Sequence, residues 1–560
     1  MMLTYILLLN SSFNLTIIIN MVYNSSLYKK NVIMHAIPIF FRYNMATDFD
    51  FIVIGAGING LTAASYLAKE GFSTIIIEKQ DYLGGCAVTK ELTIPGFKHD
   101  VFATSINIWR LGPVEKELNL RKYGYRDLSP EVVASTPFKN GRAITIYNDI
   151  NKTANSIAGF SKKDADRYKE VYDYYNTASE LVEEGFAAAP MKYSEMTTLL
   201  EDTDDGLEFL RLSFMSVRDW LNENFESEEV KAFFTIWATN HAPLSPEDAG
   251  SALTALTFVG LLQQKGIGIP IGGMEILPNS LRNFIQAHDG KIITGDSVDE
   301  IFVENNIAKG VKLRSGKLIN AKKGILANVE PKALFNKLIP PSKVSESFLK
   351  KVNKFRYSEV TQVMIHAAMS EAPDYISEDT RKAGIVQIGE TVNEISRAFN
   401  DSTIGRLPDR PFMTLNNSTY YDKSRSPEGK HTMWNFVRAP VMIGGKPWTE
   451  DDKEKFAAIS LARLAEYAPN ISKSVLKMVV MSPQDIEALN PNVINGDPVL
   501  GKPSIDQMLS LRPFPGYSKY RTEINGLYMC SSATHPGGGV SGLPGRNAAL
   551  QAIEDLKMRA

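Results

Sequence analysis

Phe51–Ile54 is a continuous apolar run, the pattern of a parallel strand buried on both faces. A glycine-rich turn follows. Ala63, Ala64, Leu67 and Ala68 then recur at helical spacing, and Gly71 falls where a helix C-terminus favours a left-handed residue. Thr74–Ile77 is a second apolar run, ended by Glu78, so the chain opens on a complete βαβ pattern. Over 151–265 the period changes to helical, through Tyr168, Val171, Tyr174 and Tyr175 and again through Phe209, Leu212, Phe214, Val217 and Leu221, with no strand signal. Strand signals return after Pro270: Val298–Val303, Ala308–Leu313 and Leu318–Ala321 are separated by Asn305-Asn306 and Ser315-Gly316, and Ile325-Leu326 begins a further buried segment. Residues 332–480 mix helices with strands such as Val360–Ala368 and Thr432–Val437. Leu527–Cys530 is a last strand, followed by a glycine-rich loop and a helix to the end.

This order predicts an α/β fold with a discontinuous Rossmann-type dinucleotide-binding domain. Its parts are 45–150, 266–331 and 481–560, with a helical substrate or cap region at 151–265 and a mixed α+β substrate domain at 332–480. No internal repeat and no long low-complexity linker is present. Residues 1–44 stand apart: they contain no Asp, Glu or Gly, and the apolar stretch Tyr5–Val22 is interrupted by six Asn, Ser and Thr residues. That is a poor spanning helix, and it lacks the marks of a secretory signal or transit peptide. The segment is expected to be a dispensable extension upstream of Met45 rather than a membrane anchor.

Composition narrows the function classes. With 44% hydrophobic and 22% charged residues the chain is ordinary for a globular protein, and a formal net charge of −2 without basic runs argues against nucleic acid as a partner. Only Cys86 and Cys530 occur, which points to a reducing compartment: the cytoplasm or, in a eukaryote, the mitochondrial matrix. They form no C-x-x-C, so a redox-active disulfide is not expected.

The chemistry-bearing motif is Gly55-Ala56-Gly57-Ile58-Asn59-Gly60, a G-x-G-x-x-G between a buried strand and a helix. Gly55 permits the tight turn, Gly57 lets backbone approach a pyrophosphate, and Gly60 lets the helix pack on the strand. Glu78 ends the next strand, where an acceptor for ribose hydroxyls is needed. Gly84-Gly85 offers a second close backbone approach, and with the first motif it points to FAD rather than NAD. The loop His535-Pro536-Gly537-Gly538-Gly539-Val540-Ser541-Gly542 precedes the last helix and presents further backbone N–H groups. Pro544 suits the first helical turn. Arg546 in that turn is disfavoured by the helix dipole and calls for an anionic neighbour, a ligand or a surface salt bridge.

The segments DFIVIGAGINGLTAASYLAKEGFSTIIIEKQDYLGGCAVT, PIGGMEILPNSL and LYMCSSATHPGGGVSGLPGRNAA resemble those of the phytoene desaturase-like flavoproteins, over nearly everything from Asp50 onward. The resemblance implies FAD bound by Gly55, Gly57, Gly60, Glu78, Gly85 and the Gly537–Gly542 loop, with Val298 meeting the adenine through its backbone. Cys86 stands where relatives often carry Arg, and Ser531 and Ser532 replace residues usually smaller. The implied activity is an FAD-dependent dehydrogenase or desaturase acting on an apolar small molecule, with peripheral membrane contact. Electrons would pass to a quinone, dioxygen or another acceptor. Flavin amine oxidase is the alternative enzyme, and a non-catalytic prenyl- or lipid-binding protein on the same scaffold is the alternative of another class.

Catalytic side chains are harder to read. His431 beside a strand and His99 after the glycine pair are the candidates, while His535 suits shaping the glycine loop. No metal-ligand spacing is present. Gly266–Gly273 lacks a preceding strand and holds Pro270 in a poor place for a second phosphate turn, so no separate NAD(P)H domain is expected.

Overall fold

The computed structural model describes residues 48–497 and 499–559, and the N-terminal extension lies outside them. Two seven-stranded sheets organise the described residues. The first contains β1 (Asp48–Ile54), β2 (Thr74–Ile77), β5 (Lys291–Ile293), β6 (Val298–Glu304), β7 (Ile307–Leu313), β8 (Leu318–Ala327) and β14 (Leu527–Met529). The second contains β3 (Val132–Pro137), β4 (Ala143–Tyr147), β9 (Val360–Met369), β10 (Ile385–Ile388), β11 (Met413–Asn416), β12 (His431–Pro440) and β13 (Val475–Met481).

The centre of the first sheet is parallel: β1 lies between β2 and β8, β2 pairs with β5, and β14 pairs with β8. Phe51, Ile52 and Val53 are fully buried because this sheet is covered on both faces. Helix α1 (Ile58–Lys69) packs on one face against α3 (Leu543–Arg559), the first and last helices of the described chain. A Cβ on Gly545 would lie 1.8 Å from the Asn59 carbonyl oxygen, so the two helices approach too closely for any other residue there.

The two short signals Leu318–Ala321 and Ile325-Leu326 belong to one strand rather than two. Exposed Lys322 and Lys323 interrupt the apolar pattern without ending β8. Its first half pairs antiparallel with β7, while its second half enters the parallel core beside β14. The expected segment 45–150 also crosses a structural division, since β3 and β4 close its end but belong to the second sheet. Sequence gives a strand hairpin no label for which sheet will accept it.

The insertion is helical from Ile150 to Lys265. Several of its helices begin at a hydroxyl cap: the Ser161, Thr203, Ser216 and Ser227 side chains accept from Asp164, Gly206, Asp219 and Val230 amides. Its inner faces, through Tyr168, Phe234 and Trp237, form one core with Val133 and Ile144 of the second sheet. No helix among the described residues is long and apolar enough to cross a membrane.

Candidate active site

The turn after β1 is set by glycine. Gly55 has φ +89° and donates its N–H to the Ile77 carbonyl at 2.8 Å, bringing the ends of β1 and β2 together. A Cβ on Gly60 would stand 2.0 Å from the Gly55 carbonyl oxygen, so this glycine allows the helix to begin against the strand. Gly84 donates to the Ala56 carbonyl at 2.9 Å and forms a bridge with Gly57. A Cβ on Gly85 would lie 3.0 Å from Gly57 Cα, so the glycine pair closes directly onto the first glycine turn.

Glu78 accepts from the Ala56 amide at 2.6 Å and from the Gln80 amide at 2.8 Å. Burial pushes its carboxyl upward, and the Gln80 and Ala56 amides oppose that shift. Each oxygen takes one backbone bond, which leaves lone pairs for further donors.

A cavity of about 1040 Å³ joins these features to the second sheet. Of the residues expected to hold a dinucleotide, Gly55, Gly57, Glu78, Gly84, Gly85 and Val298 line it from the first two segments. Gly538 and Gly539 line it from the C-terminal loop, together with Ser531 and Ser532. Asn59 at the start of α1 donates to Ser532 Oγ at 3.1 Å, tying that loop to the first turn.

Gly60, Gly537, Gly542 and Arg546 do not line the cavity. Gly542 faces Thr62 and Trp109, and Gly537 lies against the Arg512 guanidinium. The anion that Arg546 required is Glu117, reached by Nε at 2.9 Å and Nη2 at 2.8 Å, so this pair is structural rather than a ligand contact.

Both histidine candidates are buried away from the cavity. His99 shares a hydrogen bond of 2.8 Å with Thr93 and meets the His366 ring edge-on, and burial pushes its pKa down to about 4. His431, at the start of β12, is likewise pushed down to about 4 by burial. Neither is placed to touch a substrate. His535 bonds the Gly185 carbonyl at 2.7 Å, in keeping with a loop-shaping role.

Other cavity residues escaped sequence reasoning. Asn328 follows β8, and its side chain lies 3.4 Å from the Gly55 carbonyl oxygen. Asn492 donates to the Asn328 carbonyl at 3.1 Å, and Asn490 donates to Cys86 Sγ at 3.4 Å. Burial pushes the Cys86 thiol up to about 12, so it is not a nucleophile at neutral pH. The far wall is one face of the second sheet, where Trp434, Phe436 and Arg438 alternate along β12 beside Gln362 of β9 and Thr414 of β11. Helix α2 (Glu228–His241) contributes Asn240 and His241 at its C-terminal end. The period-two spacing of Trp434, Phe436 and Arg438 puts them on one face of the strand, but only the pairing with Gln362 and Thr414 assigns that face to the cavity.

The description "NAD(P)-binding Rossmann-like domain" matches residues 53–114, which hold the first glycine turn and the glycine pair. The rat protein called pyridine nucleotide-disulfide oxidoreductase domain-containing protein 2 is 28% identical over 550 residues, covering 91% of this chain and 94% of that protein. The zeta-carotene-forming phytoene desaturase of Myxococcus xanthus is 24% identical, over 87% of this chain and 90% of its own. Among solved structures, putrescine oxidase bound to putrescine superposes with a TM-score of 0.58 at 15% identity, covering 92% of this chain and all of that one, a likeness of fold. The chain is an oxidoreductase with a discontinuous Rossmann-type domain, similar along about nine-tenths of its length to phytoene desaturase-like proteins.

Proposed function

We propose that this oxidoreductase binds FAD and removes a hydride equivalent from a C–H bond of a small, largely apolar molecule, with electrons leaving to a quinone, dioxygen or another acceptor. The observation that carries this reading is the single cavity running from Glu78 and Val298 past the glycine turns to the Trp434–Phe436 wall. Its volume is at the upper end for small-molecule sites.

The cradle fits a dinucleotide. Gly57, Gly84 and Gly85 leave room where a Cβ would intrude on Asn328, Ala87 or Gly57, and the free N–H groups at the start of α1 favour a pyrophosphate. Glu78 keeps acceptor capacity for ribose hydroxyls, and Val298 lies at the same end. FAD, when bound, supplies the hydride-accepting ring; the chain supplies orientation and exclusion of water. Trp434 and Phe436 are stacked at 6.1 Å and 17°, a flat wall against which an apolar substrate can lie. Purified protein is expected to show flavin absorption bands and a rise in melting temperature with added FAD. A colourless protein indifferent to FAD would overturn the reading. Anaerobic reduction by carotenoids, terpenes and lipids, but not by amines, separates it from the amine-oxidase alternative that the fold likeness to putrescine oxidase favours.

NADH and NADPH are expected not to reduce the bound flavin at a rate comparable to turnover. The segment Gly266–Gly273 is the one other glycine-rich stretch with a dinucleotide look, and its amides are already engaged. Gly272 donates to Asp422 at 2.7 Å and the following Met274 to Asp100 at 2.8 Å. These two amides are spent on carboxylates that Arg425 already pairs, not offered to a phosphate. Cys86 and Cys530 are both free thiols, so no disulfide relay is built beside the site. Stopped-flow mixing reads this directly, and saturable bleaching by either nucleotide at the turnover rate would contradict it.

A further inference from the structure

Four arginines are buried among the described residues, and three have both terminal nitrogens engaged, although the Nε of Arg463 and of Arg512 has no partner. Arg425 is paired with Asp100 and Asp422, Arg463 with Glu394 and Glu466, and Arg512 donates to the Val499, Leu500 and Ser532 carbonyls. Arg438 is the exception. It is 1% exposed, lines the cavity, and makes one hydrogen bond, from Nη2 to the Asn240 carbonyl at 2.6 Å. Its Nε and Nη1 have no partner, and the guanidinium lies 4.7 Å from the centre of the Phe436 ring. Asp497 lines the same cavity but already accepts from the Ser358, Val499 and Gly501 amides and makes no ion pair with Arg438 among the described residues.

An unpaired buried cation lacks the partner that would offset its lost hydration, so an anion brought to this place is bound strongly. The groups around Arg438 are polar although the wall is aromatic. Asn240 and Thr414 both donate to Gln387, at 3.3 and 2.6 Å, Gln387 in turn bonds the His241 ring at 3.3 Å, and Asn240 Oδ1 is left without a partner. Burial and the Arg438 charge push His241 down to about 3, so the positive charge among these groups is carried by Arg438. A pure hydrocarbon would leave Arg438 Nε and Nη1 and Asn240 Oδ1 unsatisfied.

We infer that the substrate is an amphipathic acid, whose carboxylate is held by Arg438 at the polar end of the cavity while its apolar body lies along Trp434 and Phe436. Guanidinium matches carboxylate in shape and charge, and hydrogen bonds between such groups are about twice as strong as neutral ones. The inference rests on the proposed function and narrows its substrate class.

The test uses the full chain as purified, with decanoate and 3-phenylpropanoate as acids and their methyl esters and decylamine as controls. Binding is read twice, by perturbation of the flavin absorption and by calorimetry, which needs no flavin. The acids are expected to bind at least tenfold more tightly than the esters, with decylamine weakest. Arg438→Gln should remove that preference while flavin content is retained, and Arg438→Lys should keep part of it. Equal binding of acids and esters, preference for the amine, no binding of either acid, or loss of flavin from Arg438→Gln would each overturn the assignment. A protein that never carries flavin yet prefers acids by calorimetry would instead overturn the proposed function and leave the acid site standing.

Discussion

Gly57→Val is expected to yield a folded protein that retains no flavin. Gly57 has φ −66° and ψ 169°, a backbone conformation that valine adopts without strain, so the substitution acts through volume alone. The new Cβ would stand 3.0 Å from Asn328 Nδ2 and 3.9 Å from Gly85 Cα, and its two methyl groups extend further into the gap between the turn and the glycine pair. The proposed pyrophosphate needs that gap. Overpacking costs about 1–3 kcal/mol, and each charged hydrogen bond lost to displaced phosphate about 1.5–3 kcal/mol. Affinity should therefore fall by at least about a hundredfold. The measurement is flavin absorbance per protein after gel filtration, beside far-ultraviolet circular dichroism to confirm folding. A stoichiometric complement of flavin in the variant would show that the ligand does not pass over Gly57. Gly60→Ala is a useful contrast. Its Cβ would clash with backbone at 2.0 Å, so it should damage the fold as well as the ligand site.

These glycines were legible because the turn is local. Strand, turn and helix follow one another within 24 residues of Gly55, and Glu78 is reached by a single βαβ crossover. Gly84 and Gly85 are likewise placed by a bridge to Gly57 a short distance along the chain. Asn328, Asn490 and Asn492 carry no comparable signal. They meet the turn through loops that follow β8 and the second sheet, and an asparagine in a loop reads in sequence as an ordinary turn residue.

The same limit explains His431 and Arg438. Both lie on β12, but a strand alternates its faces, and a difference of seven residues puts them on opposite ones. Sequence reasoning chose the histidine for its chemistry. The pairing of Arg438 with Gln362 and of Phe436 with Thr414 is what assigns the cavity face, and those partners are distant in sequence. Arg546 was legible as a cation requiring an anion, but the anion came from Glu117, more than four hundred residues earlier.

The segment PIGGMEILPNSL, distinctive in sequence, is used for architecture, and this leads to the other large expected effect. Arg425→Met should destabilise the protein by about 3–5 kcal/mol, the cost of leaving buried carboxylates without their cation. Arg425 is 1% exposed, is paired with Asp100, lies 3.1 Å from Asp422, and donates to the Pro270 carbonyl at 2.7 Å. Asp422 holds the Gly272 amide and Asp100 the Met274 amide, so one guanidinium fixes the loop between the short Ile269–Pro270 strand and the Ile276–Ala287 helix. Methionine matches much of the side-chain volume, which separates loss of charge from loss of packing. Burial works to raise the Asp422 pKa, yet hydrogen bonds from Ser424 and the Gly272 amide, with the Arg425 charge, hold it below the usual aspartate value. A carboxyl depressed in the folded state contributes stability above its unfolded pKa of about 3.9, and that contribution is lost as pH falls. Without Arg425 the carboxylate gains less from being charged. The gap between the native protein and Arg425→Met should therefore be widest at neutral pH and narrow below about pH 4, where protonation removes the uncompensated charge. Urea unfolding at pH 7 and pH 4 measures both values. A gap that stays constant with pH would mean that Arg425 acts through packing, and that the carboxylates of the loop do not depend on its charge.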